Sequence, residues 1–362
     1  MIKKAFRAGW GGAVLKTAGL ETTPNPCPRM QIVKDRRDKR GMVNIELITD
    51  LTLAQWADEI KSIRDEFPER PIIASIMGGG KAEDWQAVVE ALEPHGVNAF
   101  EANVSCPNFA HGGRGAQLGQ DPETLHQAVS WIREATNKPL WVKLTPNVAD
   151  ISELAQVAKS AGADAVTATN TLAGMGGVDL DTYSPLPSVD GIGTFGGYSG
   201  PGLKPVALRC AASIARDVEI PLVGCGGIAK WQDAAEYLAV GASIVEVCTA
   251  VMWNGYGIID KLTKGLSSYC DDQGFENVSA LTGKAKPQMR PYTDIDLKVR
   301  TLAQVDEALC TGCKLCVTAC DSGGFEAISM EGKKAIIDKL KCDGCNLCVG
   351  ICPEDAIKMI RI

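Results

Sequence analysis

No stretch of the sequence is apolar for anything near the roughly 20 residues that cross a bilayer. The N-terminus, Met1-Ile2-Lys3-Lys4-Ala5-Phe6-Arg7, is basic but lacks the apolar core of a secretory signal. Basic residues are not in excess: 37 Lys and Arg stand against 44 Asp and Glu, for a formal net charge of −7. A general nucleic-acid binder is usually basic. No G-x-G-x-x-G motif opens a βαβ unit, so the chain carries no dinucleotide fingerprint of that kind. These absences set the expectation of a cytoplasmic protein with no nucleic-acid or membrane partner.

What is present is ordinary in bulk and unusual in detail. The 362 residues, 45% hydrophobic and 22% charged, suit a globular protein of two or three domains. Of fourteen cysteines, eight crowd the last 53 residues, while Cys27, Cys106, Cys210, Cys225, Cys248 and Cys270 are scattered. Dense, regularly spaced cysteine in a cytosolic chain favours metal over disulfides.

The first 270 residues have a period. After a helix over residues 1–8, Ala13–Thr17 reads as a short buried strand. A polar loop with Pro24, Pro26, Pro28 and the charge run Lys34–Arg40 follows, read as a solvated excursion. Then amphipathic helices alternate with short apolar strands at 71–77, 99–104, 140–144, 165–168, 221–224 and 243–247. That alternation predicts a parallel sheet covered by helices, an α/β fold of the TIM (β/α)8-barrel type. Only seven strands are found, and the chain opens in a helix. The expected barrel lacks its first strand, or the start lies inside a longer gene. The expected domains are a barrel over 1–270, a connector over 271–305 and a small tail domain, α+β and like a bacterial ferredoxin, over 306–362.

The tail carries the most specific motif. Cys310, Cys313, Cys316 and Cys320 repeat 32 residues later as Cys342, Cys345, Cys348 and Cys352. This C-x2-C-x2-C-x3-C run wraps three corners of a cubane and sends its fourth cysteine to the other cluster. Two [4Fe–4S] clusters are expected, one on Cys310, Cys313, Cys316 and Cys352, the other on Cys342, Cys345, Cys348 and Cys320. Zinc or a disulfide framework does not explain a doubled run of four.

Punctuation after the strands falls on the face where barrel active sites form. Gly224-Cys225-Gly226-Gly227 follows a strand and precedes a helix, and Cys248-Thr249 ends the next strand; such turns cradle phosphate or merely turn tightly. Gly196-Gly197-Tyr198-Ser199-Gly200 could add backbone donors. Lys16 and Lys143 sit on strands in apolar surroundings and need an anion, or else reach the rim. Asn103-Val104-Ser105-Cys106-Pro107-Asn108 presents an amide, a hydroxyl and a thiol at a strand end.

Taken together, Gly9-Trp10-Gly11 with Lys16-Thr17, Asn103–Pro107, Gly119–Glu123, Lys143–Asn147, Ala168–Thr171, Tyr198–Gly200 and the doubled cysteine runs make the chain resemble the FMN and iron–sulfur catalytic portion of dihydropyrimidine dehydrogenases, a separate subunit in bacteria. The barrel also resembles dihydroorotate dehydrogenases. The resemblance implies FMN held by Lys16, Thr17, Lys143, Gly200, Cys225, Gly226, Gly227, Cys248 and Thr249. It implies a pyrimidine such as uracil or thymine held by Asn103, Ser105, Asn170 and Thr171, with Cys106 as the general acid or base. Electrons would come through the clusters from a partner subunit that binds FAD and NAD(P)H, in a homo- or hetero-oligomer. Two departures bear on the substrate. Lys81 stands where the family places an Asn, and Asn108 follows Pro107 as in dihydroorotate dehydrogenases. The alternatives are therefore dihydroorotate or another cyclic enone or carboxylate, and a non-catalytic, ferredoxin-like electron carrier.

Overall fold

The structure, a computed structural model, describes residues 1–105 and 118–362. Cys106 and Asn108 lie outside the described residues. Two units separate by their internal packing, Met1–Met289 and Arg290–Ile362.

The first unit opens with α1 (Ile2–Arg7), which buries Phe6 edge-on against Phe67. Strand β1 (Ala13–Val14) follows. The expected polar excursion is instead an antiparallel hairpin, β2 (Met30–Asp35) and β3 (Asp38–Asn44), turned at Arg36 with a positive φ of 52°. Charge at the hairpin tip hid the strand pattern: only Gly41, Met42 and Val43 are buried. Helix α2 (Leu53–Glu66) starts at a Thr52/Gln55 capping box and buries Trp56, Ala57, Ile60 and Ile63 at helical spacing.

From there sequence and structure run together: β4 (Ile72–Ile76), α3 (Ala82–Leu92), β5 (Ala99–Asn103), α4 (Pro122–Ala135), β6 (Leu140–Leu144), α5 (Ile151–Ser160) and β7 (Ala165–Ala168). An antiparallel excursion follows, β8 (Leu172–Gly174), β9 (Ser188–Val189), β10 (Ile192–Gly193) and β11 (Gly196–Ser199). Then come α6 (Lys204–Asp217), β12 (Leu222–Cys225), α7 (Trp231–Val240), β13 (Ile244–Glu246), α8 (Thr249–Asn254) and α9 (Ile258–Gln273).

The seven parallel strands stand in chain order, β1-β4-β5-β6-β7-β12-β13, as in a barrel wound by right-handed crossovers. Strands β4, β5 and β7 are buried along their whole length because helices cover one side and the barrel core the other. Each of the largest fully buried side chains, among them Trp85, Phe100, Leu125, Ile132 and Tyr237, contributes about 1.5–3 kcal/mol by leaving water. Hairpin β2–β3 joins β11 and β8 in a second, four-stranded antiparallel sheet.

The second unit holds β14 (Thr301–Val305), α10 (Leu315–Ser322), β15 (Ile328–Glu331), β16 (Lys334–Ile337), α11 (Leu347–Ile351) and β17 (Ile357–Arg361). Strand β14 pairs with β17 and β15 with β16. The expected connector 271–305 thus divides: 271–289 belongs to the first unit, and its last five residues are β14 of the second. The sequence repeat is a structural repeat. Gly312 and Lys314 in one half, Gly344 and Asn346 in the other, all have φ between 65° and 77°. A Cβ on Gly312 or Gly344 would come within 2.4 or 2.5 Å of a backbone oxygen. Each loop therefore needs glycine to curl tightly around its cysteines. Among the described residues, no helix is long and apolar enough to cross a membrane.

Candidate active site and cluster-binding cysteines

Sheet register brings the polar residues of the parallel strands to one level. Asn103 on β5 pairs in register with Lys143 on β6, and Lys143 with Thr167 on β7. At the strand ends Asn170 donates from Nδ2 to Ser105 Oγ at 2.9 Å and to Asn103 Oδ1 at 3.2 Å. Asn103 donates in turn to Thr17 Oγ1 at 3.0 Å, and Ser105 Oγ donates to the Lys143 carbonyl at 2.7 Å. Four of the expected site residues thus form one hydrogen-bonded floor that spans β5, β7 and the segment after β1. Thr171 stands apart, its side chain close against Gly197 of the antiparallel sheet.

Below that floor lies a charged cluster. Lys143 Nζ is 2.9 Å from Glu246 Oε2 on β13 and 3.3 Å from Glu101 Oε1 on β5. Thr167 donates to the other Glu101 oxygen at 2.9 Å. Burial opposes the Lys143 charge, but the two carboxylates outweigh it and hold its pKa well above the ordinary lysine value. Burial, then the charge of Glu246, pushes Glu101 up to about 7 against the pull of Lys143. Burial likewise raises Cys225, to about 12, and Cys248, so both thiols stay protonated at neutral pH. Lys143 keeps 18% of its side-chain surface open, and Cys248 is exposed.

The turn expected to cradle phosphate is braced from behind. Gly226 and Gly227 have φ of 128° and 74°. A Cβ on Gly227 would lie 2.6 Å from Lys204 Cβ. Tyr237 donates to the Gly226 carbonyl at 2.8 Å. Asp233 accepts from the Ala229 and Lys230 amides and pairs with Lys204. Gly200, with φ of 89°, sits against Gly41 and Trp253, and nearby Thr249 donates to Ser199 Oγ at 2.9 Å. Gly196 and Gly197 lie in β11, where the close approach of Asn44 and Thr171 requires glycine. Lys16 pairs at 3.1 Å with Glu46, which Arg29 also reaches.

Four buried side-chain polar atoms have no partner among the described residues. Three of them, Thr169 Oγ1, Glu246 Oε1 and Trp253 Nε1, belong to the end of β7, to β13 and to α8 after it. Unsatisfied buried polar atoms are costly and call for a partner. Glu246 sits on Lys143, the Thr169 amide donates to the Cys225 carbonyl before the glycine turn, and Trp253 packs against Gly200, so together they suit a polar cofactor with an anionic end. Sequence reasoning missed Glu101, Thr167, Glu246 and Asp233. The available signal was a lone acid inside an apolar strand, Phe100-Glu101-Ala102 and Val245-Glu246-Val247.

The second unit has two small cysteine-lined cavities. Cys320, Cys342, Cys345 and Cys348 line one. Cys310, Cys313, Cys316 and Cys352 line the other. Each takes three cysteines from one run and the fourth from the other. Among the described residues, no three His, Cys, Asp or Glu side chains converge to hold a single ion. The cysteines surround a space instead, the arrangement a cubane needs.

The family model for dihydroorotate dehydrogenase matches residues 2–269, and that for the 4Fe-4S dicluster domain matches residues 303–359. The chain belongs to the dihydroorotate dehydrogenase family and carries a C-terminal 4Fe–4S dicluster domain. It is an oxidoreductase acting on CH–CH groups, with FMN and iron–sulfur clusters as cofactors. It is similar to the NAD-dependent dihydropyrimidine dehydrogenase subunit PreA of Escherichia coli (strain K12), 33% identical over 337 residues, or 92% of this chain and 82% of that one. It is 34% identical over 310 residues to the chloroplastic dihydropyrimidine dehydrogenase (NADP(+)) of Arabidopsis thaliana, covering 82% of this chain and 73% of that one. It is 37% identical over 290 residues to the catalytic subunit of dihydroorotate dehydrogenase B (NAD(+)) of Pyrococcus furiosus, covering 79% and 90%.

Proposed function

We propose that the chain reduces, or in reverse oxidises, the C5=C6 bond of a pyrimidine such as uracil or thymine. The observation that carries this reading is the floor of Asn103, Ser105 and Asn170 beside Lys143. A flat neutral ring with alternating N–H and C=O edges meets groups that both donate and accept. Asn103, Ser105 and Asn170 hold the ring by exchanging bonds they otherwise make within the protein, and Thr171 adds its hydroxyl from outside that floor. Bound FMN supplies the hydride. Cys106, next in sequence to Ser105, gives or takes the proton at the neighbouring ring carbon; a thiol with an ordinary pKa near 8.5 does so close to neutral pH.

In this reading Lys143 and Lys16 face the isoalloxazine ring together with Thr17, Cys225 and Cys248. Gly200, Gly226, Gly227 and Thr249 hold the phosphate. Two 4Fe–4S clusters, which would carry single electrons when bound, would be held one by Cys310, Cys313, Cys316 and Cys352, the other by Cys320, Cys342, Cys345 and Cys348. The two four-cysteine cavities support that division. An FAD- and NAD(P)H-binding partner subunit supplies the electrons. Gly191–Gly196 does spell G-x-G-x-x-G, but it runs through antiparallel β10 into β11 and opens no βαβ unit.

A second reading, oxidation of a cyclic carboxylate such as dihydroorotate, draws on Lys81, which is exposed at the start of α3, and on the Pyrococcus relative. Anaerobic titration of the FMN-loaded chain separates the two. Loss of flavin absorbance with dihydrouracil or dihydrothymine supports the first reading; loss with dihydroorotate alone replaces it with the second.

A further inference from the structure

Among the described residues, Lys143 is the only cation paired within this charged cluster, and two carboxylates share it. Glu101 on β5 and Glu246 on β13 approach it from opposite sides of the sheet's curve, at 3.3 and 2.9 Å. Glu246 Oε1 is buried and has no hydrogen-bond partner. Its neighbour across the lysine, Glu101, has one oxygen on Thr167 and the other on Lys143. The other groups that face the cluster are Cys225 and Cys248, which burial keeps protonated, with Lys16 and Glu46 further out beside Cys248. With both carboxylates ionised, one buried ammonium would face two buried negative charges, a costly state. One proton on Glu101 removes the excess charge.

We propose that Glu246 is a positioning and tuning residue: with Glu101 it clamps Lys143, and its charge beside Glu101 governs whether that carboxyl holds a proton, and so how much net positive charge the clamp presents to the flavin. This deepens the proposed function and rests on its placing Lys143 beside the isoalloxazine ring. When the pair holds its proton, the cluster is neutral overall. When the proton leaves, the cluster carries one negative charge and disfavours extra electron density on the ring. Burial and the charge of Glu246 raise Glu101 to about 7, so the change falls near neutral pH.

The test compares the flavin reduction potential and sulfite affinity of the FMN-loaded chain with those of Glu246→Gln. The amide keeps the shape of the side chain and removes the second negative charge. At about pH 6 the two proteins should agree. At about pH 8.5 Glu246→Gln should favour the reduced flavin about tenfold, a shift of about 30 mV for two electrons, and bind sulfite correspondingly tighter. Comparison at equal pH cancels the titration of sulfite itself. Agreement at both pH values, or a constant offset at both, overturns the proposal. Glu101→Gln should show the same pH-dependent difference from the unaltered chain, and serves if the first variant does not retain FMN. In the unaltered loaded chain, a protonated-carboxyl infrared band should be present at about pH 6 and lost by about pH 8.5; its absence at both overturns the proposal without any variant. Lys143→Met separates the levels. If it leaves potential and sulfite affinity unchanged, the placement of Lys143 beside the flavin fails. If it changes them while Glu246→Gln does not, only the tuning role fails.

Discussion

Asn170 and Ser105 follow strands on either side of β6, yet their side chains meet at 2.9 Å, and Ser105 also donates to the Lys143 carbonyl. The contact joins residues 65 positions apart and makes the end of the barrel a single polar surface rather than a set of loop caps.

Asn170→Ala removes two donated hydrogen bonds from that surface. The dissociation constant for the pyrimidine should rise about tenfold, the scale of one net hydrogen bond. Flavin content should be unchanged. Equilibrium titration of the flavin spectrum with substrate measures both.

Glu101 gives a signed pH effect. Its folded value of about 7 lies above the ordinary 4.5. Between those values the folded chain binds more protons than the unfolded chain, so this group's contribution to stability is lost as pH rises through that window. Glu101→Gln removes the slope. Its Tm relative to the unaltered chain should therefore rise between about pH 5 and about pH 8. Thermal scans at fixed FMN concentration check this, and a parallel pair of curves contradicts it.

Gly227→Ala forces a Cβ into a position 2.6 Å from Lys204 Cβ at a φ of 74°. The cost should be about 1–3 kcal/mol of stability. FMN affinity should fall with it, since Tyr237 and Asp233 hold the turn in one shape. Urea unfolding and FMN dissociation measure the two effects.

The cysteines predict a crossed pattern. Cys310→Ser and Cys352→Ser should weaken the same cluster, and Cys320→Ser the other, each with loss of up to about half the iron. Iron analysis with low-temperature electron paramagnetic resonance distinguishes the clusters. Pairing of Cys310 with Cys320 in one phenotype contradicts the assignment.

The sequence carried the parallel sheet because each of its strands is a short β-branched or apolar run between amphipathic helices. Hairpin 30–44 escaped because only three consecutive residues of it are buried, and prolines and a charged turn surround them. The cluster cysteines were legible from spacing alone, since their ligand geometry is local except for one residue per run. The Glu101–Lys143–Glu246 cluster was not. Its acids lie 145 positions apart, and only the closing curve of the sheet brings them to one ammonium. Gly196 and Gly197, read as possible backbone donors to a phosphate, are small because the Asn44 carbonyl and the Thr171 side chain pass close by.

The account rests most heavily on Cys106 as the proton donor beside the Asn103–Ser105 floor. The direct measurement is single-turnover mixing of the photoreduced, FMN-loaded chain with uracil, followed by reappearance of oxidised flavin, for the unaltered chain and for Cys106→Ala. The account predicts that reoxidation slows about 10²–10⁴-fold in the variant while its flavin content and reduction by artificial donors stay the same. Equal rates in the two proteins would contradict it.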